Sequence, residues 1–398
     1  MSLLAEKPQR GRAGHQDSAA AFVPDQSRAE RKTSYAVDDF VVPMGREEDW
    51  RFTPVDRLGA LFHEAPTDAD RLTVSVQAPD GVKVEQVPAA ASGVGIPADR
   101  ASAVAWAGAP ELTKVVIPAE AELSTPVRIA LEATGLARVN GHLVVEAGNF
   151  AKGTVVLTHR GSAECGSNVE IRLGDGADLT FVTVQEWDDD GLHLAQNDAL
   201  IGRDAKLKHI AVTLGGKIVR LAVNARYAGP GGSFEGLGVY FADAGQHQEH
   251  RLFVDHEAPH CTSRVQYKGA LQGDSAHTVW VGDVLIRHTA EGTDTYELNR
   301  NLVLTDGARA DSVPNLEIET GEIIGAGHAS ATGRFDDEQL FYLQARGIPE
   351  DLARRLVVRG FFADIVQRIG VPEVTEHLMA AIDAELGGLE TTVAEGAA

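Results

Sequence analysis

The sequence predicts a mainly β protein: a right-handed parallel β-helix core with an N-terminal α+β cap and a C-terminal helical domain. Three observations predict it. Between residues 126 and 333 the chain breaks into short β-favouring runs cut by Gly and Asp, among them LVVEAG, GTVVLTHRG, DLTFVTV and KIVRLAVNARY. Turn-type pairs recur in equal steps, at Gly148-Asn149, Gly176-Ala177, Asp204-Ala205 and Gly232-Ser233. After Gly333 the apolar spacing changes from strand-like to helical.

Taken in order, residues 1–34 are polar, charged and Gly/Ala-rich without periodicity, and read as a mobile tail. Residues 35–125 mix Pro and Gly punctuation with short apolar runs, and read as a small α+β cap. The 28-residue recurrence then implies coils whose inward side chains stack on those of the previous coil. In that phase Val182, Ile210 and Gly238 are equivalent, as are Val156, Val184, Val212 and Tyr240. An antiparallel sandwich also has short, Gly-bounded strands, but turn pairs so evenly spaced would be a coincidence there. The phase is lost after about residue 260. Residues 334–398 form the helical domain: Asp336 is the expected N-cap with Gln339 three residues on, Gly347 the C′ residue, and Pro349 opens a second helix that ends at Gly370 before Pro372.

Composition narrows the function. The chain has 58 acidic and 36 basic residues, and its formal charge of -22 repels phosphate backbones and anionic lipid. Nucleic acid and membrane partners are not expected. No apolar run approaches the roughly 18 residues of a spanning helix, and the first residues lack the apolar core of a secretory signal, so a cytoplasmic location is expected. Cys165 and Cys261 are too few for a disulfide framework or for the roughly four thiolates of an iron–sulfur cluster. Both are expected as small core fillers.

Several polar groups invite chemistry. His328 stands among small residues from Gly325 to Gly333, which would let another surface approach it. His247, His250, His256, His260 and Cys261 lie close in sequence, but their spacing fits no common metal motif, and alternation along strands would separate them. The acidic strings at 188–190 and 336–338 read as a solvated loop and a helix N-terminus. No G-x4-G-K-S/T phosphate loop is present, so ATP hydrolysis would belong to a partner.

Longer strings carry a resemblance. VDH at 254–256, YKGAL at 267–271, TDTYELNRNLVLTDGARADSVPNLEI at 293–318 and GHASATGRFDDEQLFYLQARGI at 327–348 resemble the SufB/SufD family of iron–sulfur cluster assembly proteins, and PMGREEDWRFTP at 43–54 resembles the amino-terminal box of its SufD branch. The resemblance implies a non-catalytic scaffold. It pairs with SufB through β-helix edges, and its C-terminal helices dock the SufC ATPase. A transient iron–sulfur cluster is shared with SufB, and none is held permanently by this chain alone. A homodimer is one possible assembly of the isolated chain. His328 aligns with the family's candidate cluster ligand. Asn299 stands where the SufB branch has its cluster-building cysteine, Ala329 where that branch has a glutamate, and Ala326 where many SufD members have a cysteine. From the apolar stripe and the resemblance together, Leu340, Phe341, Leu352, Leu356, Phe362 and Ile365 are the expected ATPase-docking residues. The alternative from another class is a β-helix polysaccharide lyase or hydrolase using acidic loops as general acid and base.

Overall fold

The computed structural model describes residues 30–90, 94–335 and 337–387. The expected tail up to residue 29 and the N-cap expected at Asp336 lie outside the described residues. Two short strands, β1 (Leu72–Gln77) and β2 (Lys83–Pro88), precede helix α1 (Arg100–Ala107) and β3 (Glu111–Ile117). The solenoid opens with two long bent strands, β4 (Val127–Ala147) and β5 (Lys152–Leu173). It continues with β6 (Asp178–Trp187), β7 (Leu192–Ile201), β8 (Lys206–Thr213), β9 (Ile218–Tyr227), β10 (Ser233–Ala242), β11 (His247–His256), β12 (Thr262–Leu271), β13 (His277–Ile286), β14 (Asp294–Val303), β15 (Arg309–Ile318) and β16 (Gly325–Arg334). Even strands from β6 to β16 stack in parallel on one side and odd strands from β7 to β15 on the other; β5 bends to pair with both β6 and β7. The result is a parallel β-helix of about eight turns.

Parallel stacking puts each side chain over its register partner in the coil below. Inward positions are filled by Leu179 and Phe181 on β6, Leu207 on β8, Leu252 and Val254 on β11, and Trp280 on β13, all in one continuous core. The bend in β5 is made at Gly161, whose φ is +83° and where a Cβ would sit 1.9 Å from the Ala133 carbonyl oxygen. Only glycine fits that corner. Farther along, YKGAL finds its physical reason. Tyr267 is the register partner of Gly238 and Tyr240 the partner of Gly269, and each ring lies where the opposing glycine's Cβ would be. Aromatic and glycine alternate so that two rings fit one narrow interior.

The expected coil length needs correction. One column of register partners runs Asp178, Lys206, Ser233, Thr262, Asp294 and Gly325, and its steps are unequal. The strict 28-residue phase therefore holds between β6 and β8 and slips by one at β10: Ile210 faces Leu237, not Gly238, and Val212 faces Val239, not Tyr240. Val156 faces Val182, not Val184. From Ser233 onward each step of the column is longer than the expected one. The strands keep in register while the corners change length, and this also explains the phase lost after residue 260, where the coils run on to Arg334.

The two outer faces are covered by different parts of the chain. Helix α2 (Asp337–Gln344) ends in a Schellman motif, with Gly347 at φ +84° and its N–H and that of Ile348 donating to the carbonyls of Gln344 and Leu343. Helices α3 (Glu350–Val366) and α4 (Pro372–Gly387) lie on the even-strand face, where Val358, Phe362, Ile365, Leu378 and Ile382 pack on Val182, Val184, Ile210, Val212 and Leu237. Strands apolar on both faces are what such double cover requires. The N-terminal segment does more than cap. β1 and β3 pair with β4 along the first edge of the solenoid, while Trp50, Leu58, Leu61, Phe62 and Ala101 pack on Leu194 and Ile218 of the odd-strand face. Arg220 stacks on Trp50 at 4.0 Å and pairs with Asp99 and Glu249.

Phe362 is fully buried and Leu356 is 45% exposed. Phe362→Ala is expected to lower stability by about 3–5 kcal/mol, and Leu356→Ala by no more than about 0.5 kcal/mol, read by chemical denaturation.

Candidate functional site at the open rim

The coil stack begins beside β1, β2 and β3 and ends at β15 and β16, which no further strand pairs among the described residues. A row of backbone donors and acceptors along such an edge is a template for another strand. On β16 lies His328, exposed, as the register partner of Glu297. Register partners in a parallel ladder project to the same face, so His328 tops the column of inward-pointing side chains rather than the outer wall. Ala326, Ser330 and Thr332 share that orientation over Thr295, Asn299 and Asn301. The small residues around His328 are thus the last, half-filled layer of the interior, and Ala326 packs on the core below.

Beneath this layer the interior changes from apolar to polar. Asn299, Asn301 and Tyr240 form a closed ring of hydrogen bonds: the Tyr240 hydroxyl donates to Asn301 Oδ1 at 2.7 Å, Asn301 Nδ2 to Asn299 Oδ1 at 2.8 Å, and Asn299 Nδ2 to the Tyr240 hydroxyl at 2.8 Å. Asn299 is fully buried. It locks the floor of the rim and offers no thiolate.

Glu297 was not among the residues expected from the sequence. It is 1% exposed, and neither of its carboxyl oxygens has a hydrogen-bond partner among the described residues. Trp280 Nε1, the Tyr267 hydroxyl and Ser312 Oγ of the same inner wall are likewise without partners. Gly282 makes the space: a Cβ there would come within 2.4 Å of the Trp280 ring and 2.8 Å of Glu297 Oε1. Burial, reinforced by the negative charge of Asp283, pushes the Glu297 carboxyl up to about 8. A neutral acid directly below an exposed imidazole can donate a proton toward the rim or, once ionised, offer a second ligand atom. The one sequence signal is the period-two polar series Thr295, Glu297, Asn299, Asn301, which by itself looks like a solvent face.

Other expected sites come apart. His250 and His256 point inward, stacked on Tyr240 and Tyr227, and burial pushes each down to about 3. His247 points outward and His260 sits exposed in a corner. Among the described residues no group of three or more His, Cys, Asp or Glu converges as a metal site. Cys165 and Cys261 are buried free thiols, and burial pushes the first up to about 12. Asp188 and Asp190 accept from Ser162, and Asp189 from Gln246, so this acidic loop is tied into corners rather than poised as a catalytic pair.

The six expected docking residues divide. Leu340, Phe362 and Ile365 are buried within the chain and cannot reach a partner; Phe362 and Ile365 are spent on the β-helix itself. Phe341, Leu352 and Leu356 are 71%, 48% and 45% exposed. They, with Tyr342, form the outward apolar surface of α2 and α3.

Among the described residues no helix is long and apolar enough to cross a membrane. A family model described as SUF system FeS cluster assembly, SufBD core domain, matches residues 129–361, from β4 into α3. The chain is 52% identical over 377 residues to an iron–sulfur cluster assembly SufBD family protein of Mycobacterium bovis, spanning 92% of this chain and 95% of that one. It is 53% identical over 363 residues to a SufBD family protein of Mycobacterium leprae, spanning 89% and 93%. A more distant likeness, 26% over 223 residues, 56% of this chain and 52% of the other, is to the iron–sulfur cluster assembly protein SufD of Escherichia coli.

The raised Glu297 carboxyl sets a pH dependence. An unfolded glutamate titrates near 4.5 and this one near 8, so between those values the folded state holds the extra proton and stability falls as pH rises. Glu297→Gln removes that loss. The melting-temperature difference, variant minus parent, is expected to widen from about pH 5 to about pH 8 and to level off above; a constant difference would place the carboxyl in an ordinary environment.

Proposed function

This chain belongs to the SufBD family of iron–sulfur cluster assembly proteins, and from that premise we propose that it is a SufD-type, non-catalytic scaffold subunit working in the cytoplasm. It pairs through its open β-helix edge with SufB and docks the SufC ATPase on its C-terminal helices. The observation that carries this reading is the exposed His328 on the terminal, edge strand, above a polar interior layer. A nascent cluster is cargo here. Neutral imidazole ligates iron, so His328 gives one nitrogen to a cluster whose sulfur ligands come from across the seam.

The SufD assignment is supported by Asn299. In its ring with Tyr240 and Asn301 it braces the rim, and the chain has no thiol at that layer. The likeness to the Escherichia coli SufD supports it as well. Without SufB the same edge suits a second copy of this chain. The polysaccharide-processing alternative draws nothing from the acidic loop at 188–190, whose carboxylates accept from Ser162 and Gln246 at the corners.

Docking of the ATPase falls to Phe341, Leu352 and Leu356, the exposed part of the helical surface. Truncation after residue 335 would strip the cover from Val182, Ile210 and their neighbours, so surface substitutions discriminate better.

His328→Ala is expected to leave the complex assembled, while iron and acid-labile sulfide after anaerobic reconstitution fall by at least the roughly tenfold that loss of an outer-shell partner costs at metal sites. Unchanged iron and sulfide would remove His328 from the mechanism. Leu352→Asp combined with Leu356→Asp is expected to abolish co-purification with SufC at unchanged melting temperature; retained binding would overturn the docking surface.

A further inference from the structure

On the outer, odd-strand face two imidazoles meet, away from the inward-facing His328. His247 begins β11 and His277 begins β13, and they are register partners. Their Nδ1 atoms are 3.1 Å apart, with ring centroids at 4.8 Å and planes at 70°. The opposite nitrogen of each ring meets a carboxylate: His247 Nε2 lies 3.3 Å from Glu249 Oε2, and His277 Nε2 lies 2.7 Å from Asp311 Oδ2. Glu249 also pairs with Arg220 and Arg251, and Asp311 with Arg309, which keeps both ionised and acceptor-only.

The carboxylates set the tautomer. An unprotonated Nε2 would turn its lone pair on an acceptor-only oxygen, at 2.7 Å for His277 and at 3.3 Å for His247, whose Glu249 Oε2 also accepts from Thr53 Oγ1 at 2.6 Å. With both Nε2 atoms protonated, each Nδ1 of a neutral ring presents a lone pair. Two lone pairs facing each other at 3.1 Å repel unless a cation joins them. That cation is either one extra proton or a metal ion.

The geometry favours the metal. A carboxylate on the distal nitrogen of each imidazole is the arrangement that fixes tautomer and raises basicity in metal-bound histidines. Two imidazole nitrogens bound to one tetrahedral ion at about 2.0–2.1 Å lie about 3.3 Å apart, close to what the rings already adopt. A straight N–H···N bond would hold the centroids apart by the N···N distance plus both ring radii. At 4.8 Å the rings instead fold toward a common point. His277 and Asp311 are each 21% exposed at the side chain, which gives an entry path from the β15 side.

We propose that His247 and His277 are the protein ligands of a site for a borderline divalent metal ion such as zinc, with Glu249 and Asp311 as positioning residues and water completing the coordination.

The full-length chain, stripped with chelator, would be titrated with zinc by calorimetry and with cobalt by visible absorption. One equivalent of zinc is expected to bind. His277→Gln, at the more exposed position, should weaken it at least tenfold and abolish the cobalt d–d bands. Asp311→Asn should weaken it by the roughly 10–100-fold typical of outer-shell partners. His328→Ala should leave it unchanged, which separates this site from the rim. Circular dichroism on each variant checks folding, and His277→Asn repeats the test in a smaller side chain. Failure of the parent to bind zinc below millimolar concentration, or binding unchanged in both folded His277 variants, would overturn the proposal and leave the pair as two imidazoles sharing a proton.

Discussion

The in-register parallel ladder governs this molecule. Every inward residue is packed against the residue at the same station one coil away, so the interior is a set of columns rather than a collection of independent contacts. A column must end somewhere. At the first edge it ends beside β1 and β3, which pair with β4. At the last edge the side chains change from Leu, Phe and Val to Glu297, Asn299 and Asn301, then to His328, Ser330 and Thr332. That replacement of apolar by polar residues lets the final layer face water or a partner without exposing a hydrophobic cross-section.

The outer faces follow from the same ladder. Even strands carry Val, Ile and Leu on their outward positions and are buried by α3 and α4. Odd strands carry Arg220, His247, Glu249 and Arg251 outward and hold the N-terminal segment through Asp49, Thr53 and Asp99. One face is therefore closed by apolar packing and the other largely by ion pairs with a small aromatic anchor around Trp50. Among the described residues neither cover extends over the terminal strand β16, where His328 sits.

The coiled architecture was legible between Gly148 and Ser233 because the corners there have near-equal length. It became illegible after residue 260 for a local reason: the coils lengthen unevenly, and a periodicity test fails once corner length varies even though the strands remain aligned. His328 could be singled out from its small neighbours. Glu297 could not, since a buried acid and a solvated one look alike in an alternating string. The helical stripe of Leu340, Phe362 and Ile365 was visible as apolar, but periodicity gives the angle of a face and not its occupant. The meeting of His247 and His277 depends on the length of the single coil between them, which neither neighbouring coil of that face repeats.

The variable corners carry a consequence for how such a chain diverges. Because a residue added between two strands is absorbed in the loop and the ladder above it stays aligned, insertions and deletions at exposed corner positions such as 188–190 and 244–245 are nearly silent for the core. A change inside a strand is felt in both adjacent coils, as the reciprocal fit of Tyr240 on Gly269 and Tyr267 on Gly238 illustrates. Descendants of one ancestor should drift in circumference at the corners while substituting column residues only in matched sets, so that lineages of quite different length keep superimposable walls.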